Sequence, residues 1–338
     1  MIRPFAPLLS SLSGKLVVPL LALFVASPAL AAEELRVGYV RVMDDAQVML
    51  AQEAGLYEKY GLEAELIEFT SGTDLIKGIV GGQLDIGVLG FSNAFTWASR
   101  GADLKIVGGA QRGYHALLAH EDSGIETVSD LAGKSLASQK QGSTADIVLK
   151  GVTLADAGLT PDDLNIMGVS PSVAVQSLAG GRVDAAFLFE PYASIAKLQA
   201  PVEEIYEIGE VWPFPCMVVI TSAETLEERR DVLWSALDAQ REAIDMLEND
   251  PEQAASYITS YFVNDPVIET RDQGDIDSET VIEQAIRTND FSAELTEADI
   301  DRMKELAVIM KEQGILEVDG EFDVDALLDL TWQEDREI

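Results

Sequence analysis

The chain has 338 residues, with 23 basic and 59 acidic side chains, a formal net charge of −36 and 47% apolar residues. A surface this acidic repels polyanions and speaks against nucleic acid or anionic membrane as a partner, while the apolar content is that of a globular chain rather than a disordered one. Cys216 is the single cysteine, so no intramolecular disulfide can form and packing must hold the fold.

In chain order, residues 1–31 read as a secretory signal peptide: Arg3 and Lys15 carry positive charge, Leu16 to Val25 form an apolar core, and Ala29-Leu30-Ala31 offers a small-residue cleavage site near Ala31. That apolar stretch is too short to span a bilayer. No cysteine follows it to accept lipid, so the expected address is the periplasm. The remaining chain exceeds what one hydrophobic core usually organises, which predicts two lobes.

Strands are predicted at Leu35 to Val40, Ala64 to Phe69, Ile86 to Leu89 and Leu104 to Gly108, alternating with helices from Ala46, Thr73 and Asn93. A second series follows at Ser135 to Ala137, Leu164 to Met167, Ala185 to Phe187 and Ile205 to Ile208. Strands alternating with helices predict an α/β fold with two parallel-rich sheets covered on both faces. Two extended apolar segments, Ala116 to Ala119 and Met217 to Thr221, read as hinges near 116–121 and 216–222. Lobe 1 is then 32–117 plus 222–338, and lobe 2 is 118–221. From Ser222 onward the periodicity is helical, with apolar stripes through Leu226, Leu233, Ala236, Ala243 and Leu247 and through Met303, Leu306 and Met310, expected to pack back on lobe 1.

An internal repeat supports the two-lobe reading. Ser71-Gly72-Thr73-Asp74 through Gly81-Gly82-Gln83-Leu84-Asp85 aligns with Ser170-Pro171-Ser172-Val173 through Gly180-Gly181-Arg182-Val183-Asp184 at a constant offset of 99. Each copy reads as a Ser-capped helix ended by Gly-Gly and a turn into a buried strand. The same offset places Asp44 and Asp45 above Ser143 and Thr144, each pair at the start of a helix.

In open α/β sheets, ligands bind beyond the carboxyl ends of the strands, where helix N-termini present free N–H groups. This nominates the turn Gln139 to Thr144, with Lys140, Ser143 and Thr144 as an anion cradle, although Ser and Thr also serve as ordinary N-caps. Ser92 and Asn93 open a helix in the same way. Asp44 and Asp45 would face the cradle, one capping its helix and the other available to a ligand's cationic end. Glu190 and Tyr192, with Trp212 and Phe214, are candidate cleft walls or interlobe packing. Catalytic and metal signals are weak: the two histidines, His115 and His120, have no ligand spacing with cysteine or carboxylate, and Cys216 reads as a small buried apolar residue. No catalytic residue, metal ligand or cofactor is predicted.

Taken together, Leu35-Arg36-Val37-Gly38-Tyr39, Gln52-Glu53-Ala54-Gly55-Leu56-Tyr57, Gly81-Gly82-Gln83-Leu84-Asp85-Ile86-Gly87, Asp130-Leu131-Ala132-Gly133-Lys134, Gly142-Ser143-Thr144, Gly180-Gly181-Arg182-Val183-Asp184 and Glu190-Pro191-Tyr192 resemble the periplasmic solute-binding proteins of nitrate, sulfonate and taurine ABC importers. The resemblance implies a type II-like two-lobed fold with a hinge-closing cleft. It also implies a monomer that delivers a small organic anion, zwitterion or N-heterocycle to an inner-membrane permease with a cytoplasmic ATPase. It carries site expectations onto Asp44, Asp45, Ser92, Asn93, Ser143, Thr144 and Glu190. Where taurine-binding relatives carry an acidic residue, this chain reads Pro215-Cys216-Met217, which speaks against taurine itself. The alternatives are a pyrimidine-synthase-like enzyme on the same fold, whose Cys-rich motif is missing here, and a periplasmic protein that presents its ligand to a sensor.

Overall fold

The computed structural model describes Met1 and residues 32–336. The predicted signal peptide therefore lies, apart from Met1, outside the described residues. The strands, in chain order, are β1 (Glu33–Val40), β2 (Leu62–Phe69), β3 (Ile86–Gly90), β4 (Leu104–Arg112), β5 (Ala116–His120), β6 (Ser135–Ser138), β7 (Asn165–Gly168), β8 (Ala185–Leu188), β9 (Val202–Glu207), β10 (Met217–Ser222), β11 (Val267–Glu269), β12 (Asp275–Asp277) and β13 (Asp290–Phe291). They form a sheet of order β13-β4-β10-β3-β1-β2, a second of order β7-β6-β8-β5-β9, and a ribbon of β11 and β12.

The two sheets repeat one plan. β2, β1 and β3 run parallel, as do β7, β6 and β8. In each sheet one antiparallel strand, β10 or β5, is inserted between the parallel set and a further strand, β4 or β9, and in the first sheet the short β13 pairs beyond β4. The offset of 99 is visible in the elements: the helix Gly72–Val80 maps onto Pro171–Ala179, and β3 starts at Ile86 where β8 starts at Ala185.

The repeated aspartate has the same task in both copies. Asp85 accepts the backbone N–H of Arg36 at 2.8 Å, and Asp184 accepts that of Ser135, also at 2.8 Å. Arg36 and Ser135 are themselves 99 apart. The Gly-Gly-x-x-Asp motif thus ends a helix, turns the chain and stitches the incoming strand to its parallel neighbour, satisfying a backbone donor that the ladder does not reach.

The segments read as hinges are instead central strands. β5 lies between β8 and β9, and β10 lies between β3 and β4. An extended apolar run looks alike in sequence whether it links lobes or fills a sheet. The chain passes between sheets just before each of these strands, at residues 113–115 and 212–216. The two passages are tied together by the Gly113 N–H donating to the Phe214 carbonyl at 2.7 Å. Gly113 is required there because a Cβ would collide with the Phe214 ring.

Burial follows the pleat. Ile86 and Val88 of β3 face a core built with the helices Ala46–Glu53, Arg230–Asn249 and Pro251–Phe262, whereas Leu89 faces the opposite core. The predicted stripes are buried at Leu226, Leu233, Ala236, Ala243, Leu247, Met303, Leu306 and Met310. The C-terminal elements also reach the second half. Gln313 donates to the Ile147 carbonyl at 3.0 Å, and the Arg271 N–H donates to the Leu198 carbonyl at 3.0 Å.

Candidate functional site

A cleft of about 630 Å³ opens at the carboxyl ends of the strands of both sheets. That volume suits a small organic ligand. Around it stand the starts of four helices, two from each copy of the repeat. Ser71 and Ser170, themselves 99 apart, precede Gly72–Val80 and Pro171–Ala179, while Gly90 precedes Phe91–Ala98 and Ser143 precedes Thr144–Val148.

Ser71 and Ser170 occupy N-cap positions, but neither hydroxyl accepts from its helix backbone. Ser71 instead donates to Asp74 at 2.9 Å, and Ser170 lies 3.4 Å from the Ser172 hydroxyl. This departs from the predicted Ser caps. It leaves the positive ends of both helix dipoles at the cleft, with the Gly72 N–H beside it in the first half, whereas the second helix opens with Pro171, which has no N–H. Ser143, by contrast, does cap its helix, accepting from the Asp146 N–H at 3.2 Å.

Of the predicted residues, Asp44, Asn93, Lys140, Ser143, Thr144 and Tyr192 line the cleft. Asn93 is partly spent on its own turn, donating to the Gly90 carbonyl at 3.1 Å. Thr144 is 2.7 Å from the Ser92 hydroxyl, and this contact joins the two halves across the cleft floor. Gly90 makes the approach possible, because a Cβ there would collide with the Thr144 hydroxyl. The other side carries a matching contact, where the Met43 N–H reaches the Glu190 carbonyl at 3.4 Å. Each half therefore places the turn after the first strand of its parallel set, β1 or β6, against the turn after the third strand of the other's, β8 or β3.

Five predicted residues lie behind the lining. Asp45 is fully buried and accepts the Val40 N–H at 2.7 Å, so it finishes the turn after β1. Ser92 is consumed by Thr144. Glu190 is buried and accepts from Ser194 and Thr288, so it anchors the start of the helix Tyr192–Gln199 to the C-terminal segment. Phe214 is buried against the His115 ring, with centroids 6.4 Å apart. Trp212 packs on Phe214 and under the Arg302 guanidinium, 4.5 Å from its ring centre, so it meets the C-terminal helix Glu297–Glu312.

The lining also holds residues that no sequence motif singles out. Arg41 follows β1 and is paired with Glu68, adding a second cation opposite Lys140. Phe69, Leu89, Val169, Phe189 and Met217 supply apolar wall, with Phe189 edge-on to Tyr192 at 5.6 Å. Asp44, His115 and Cys216 meet at the buried end. Burial pushes the Asp44 carboxyl up to about 7 and the His115 imidazole down to about 3. It also drives the Cys216 thiol well above its ordinary value, with Asp44 and Asp45 adding to the effect.

Two curled α/β halves of matching topology, joined by two passages and enclosing a cleft ringed by helix starts, define the two-lobed periplasmic-binding-protein fold. The chain belongs to the NMT1-like family, whose model matches residues 29–260. It is 28% identical over 246 residues to a Brucella abortus (strain 2308) protein named "Putative binding protein", covering 71% of this chain and 75% of that one. It is 32% identical over 174 residues to a "Putative aliphatic sulfonates-binding protein" of Escherichia coli (strain K12), covering 50% of this chain and 53% of the relative. The solved periplasmic aliphatic sulphonate binding protein SsuA from Escherichia coli superposes with a TM-score of 0.74 at 22% identity, over 89% of this chain and 98% of that one.

Proposed function

We propose that this chain is the extracytoplasmic substrate-binding component of an ABC importer, capturing a small organic anion between its two halves. The observation that carries the reading is the ring of four helix starts, together with Lys140 and Arg41, in a protein of net charge −36. Arg41 is paired with Glu68, which also lines the cleft, so an otherwise repelled anion meets there the helix-start dipoles and the Lys140 ammonium. The apolar wall of Phe69, Leu89, Phe189 and Met217 gives an organic body somewhere to lie, which favours a sulfonate- or carboxylate-bearing molecule over a bare inorganic ion.

In this reading the passages at 113–115 and 212–216 are the hinge. The ligand favours closure because it touches both Ser71 and Asn93 of the first half and Lys140, Ser143 and Ser170 of the second, a set available together only when the halves meet. The signal peptide with cleavage near Ala31, a periplasmic address, delivery as a monomer to an inner-membrane permease, and the absence of enzymatic turnover belong to the same proposal. The names of the relatives support it.

A thermal-shift screen of alkanesulfonates, aromatic sulfonates and carboxylates tests it. A ligand at 100 times its Kd adds about 2.7 kcal/mol to stability, a clear rise in Tm. A hit whose affinity is unchanged by Lys140→Ala and by Ser143→Ala with Thr144→Ala would remove the cleft from the account.

A further inference from the structure

Three chemically reactive side chains, distant in sequence, converge at the buried end of the cleft. Asp44 comes from the turn after β1, His115 from the first passage between the halves and Cys216 from the second. Their ligating atoms all lie within 4.8 Å of one another. They are 2%, 2% and 1% exposed, yet Asp44 Oδ1 and His115 Nδ1 have no hydrogen-bond partner. Orphaned polar atoms at this depth are rare and costly unless something satisfies them. The aromatic neighbours of His115 cannot: Phe187 stacks on its ring at 5.4 Å and Phe214 at 6.4 Å, with Phe189 edge-on at 5.9 Å.

We propose that Asp44, His115 and Cys216 form a binding site for a single borderline-soft divalent transition metal, of which Zn²⁺ is the type, at the floor of the cleft. A cation with bonds of about 2.0–2.3 Å draws its donors to roughly 3.3–3.8 Å apart, so the trio needs to contract by only about 1 Å around the metal. Ligand chemistry selects the metal class. Thiolate and imidazole favour Zn²⁺ and its neighbours over Mg²⁺ or Ca²⁺, which demand a shell of oxygens. Charge selects it too: one carboxylate, one thiolate and a neutral imidazole cancel a divalent cation, which is what a buried site requires. On binding, the thiol and whatever fraction of Asp44 is protonated release their protons to solvent and the metal replaces them. An ammonium on the ligand would satisfy Asp44 alone and leave the imidazole nitrogen and the thiol as they are.

All three residues line the cleft, so the site is open to a metal from the ligand space. Such a metal would join the two passages to the turn after β1. It would also add a Lewis-acidic contact for an anion, independently of which anion the cleft takes.

The test uses the chain from residue 32 onward, stripped with a chelator and titrated with Co²⁺ and then Zn²⁺ without any organic ligand. Cys216 is the only cysteine in the chain, so every thiol or thiolate signal reports on it. One Co²⁺ per chain should bind with thiolate-to-cobalt charge-transfer absorption, be displaced by Zn²⁺, and protect the thiol from alkylation. His115→Gln and Asp44→Asn should each weaken Zn²⁺ binding by at least the 10–100-fold typical of losing even an outer-shell partner. Cobalt binding without the charge-transfer band in the wild-type chain would mean that only the acidic surface binds cations, and would overturn the site. A band that survives both substitutions would overturn it equally. The wild-type spectrum decides even if a variant fails to fold.

Discussion

The two copies of the Gly-Gly-x-x-Asp repeat place one carboxylate identically and then surround it differently. Asp184 is half-buried and served by the Ser135 N–H and hydroxyl, the latter at 2.6 Å. Asp85 is buried, and beside the Arg36 N–H it takes two guanidiniums: Arg36 at 2.9 Å and Arg229, from the C-terminal segment, at 2.7 Å. The duplicated element supplies the backbone stitch. The later part of the chain adds a clamp to the first half only, and the Arg229 guanidinium also reaches the Glu34 carbonyl. Position 90 differs from its counterpart in the same spirit. The first half has Gly90, which admits Thr144, whereas the second has Phe189, which walls the cleft.

The largest expected effect breaks the clamp. Asp85→Asn should destabilise by about 3 kcal/mol, the low end for disrupting a buried pair because both guanidiniums keep partial solvent contact. Urea unfolding measures it. Gly90→Ala should cost about 2 kcal/mol by overpacking against Thr144, with weaker ligand binding because the halves no longer meet at Ser92. Asp184→Asn should cost about 1 kcal/mol, the value of ordinary hydrogen bonds; equality with Asp85→Asn would mean that the arginines contribute nothing. Arg229→Ala, removing a partly exposed partner, should cost no more than about 1 kcal/mol, and a double-mutant cycle with Asp85→Asn should recover most of that as coupling.

Acid unfolding sharpens the same comparison. Burial alone would raise the Asp85 carboxyl, but hydrogen bonds from Arg36 and Arg229 outweigh it and hold it below the usual carboxylate range. The Ser135 hydroxyl and N–H lower Asp184. Both folded pKa values are depressed, so the stabilisation is complete above the unfolded value of about 3.9 and fades as pH falls through the folded values. Wild-type stability should therefore fall more steeply below pH ~4 than that of Asp85→Asn.

What could be read in the sequence was local or periodic. The offset of 99 fixed the helix-turn-strand unit in both halves, and the helix-start logic led to Lys140, Ser143 and Thr144. What could not be read depends on three-dimensional return. His115 and Cys216 are 101 residues apart and meet only because the chain passes between the halves twice. Arg41 sits in an irregular turn with no motif around it. The aromatic pair Trp212 and Phe214 reads equally as cleft wall or interlobe packing, since a Pro-flanked aromatic segment does not announce which face it buries; both pack behind the lining. Ser71 was visible as a cap by position, yet its hydroxyl turns to Asp74 and leaves the helix N–H groups free.

The central claim is that helix starts from both halves hold one organic anion. Its most direct test is a calorimetric titration of the chain from residue 32 onward with a series of alkanesulfonates, matched against alkylamines of the same length. The account predicts saturable one-to-one binding of a sulfonate, none of the amine, and a loss of tenfold or more in Lys140→Ala, since a charge-assisted hydrogen bond is worth about 1.5–3 kcal/mol. Preference for the amine, or sulfonate binding indifferent to Lys140, Ser143 and Thr144 alike, would contradict it.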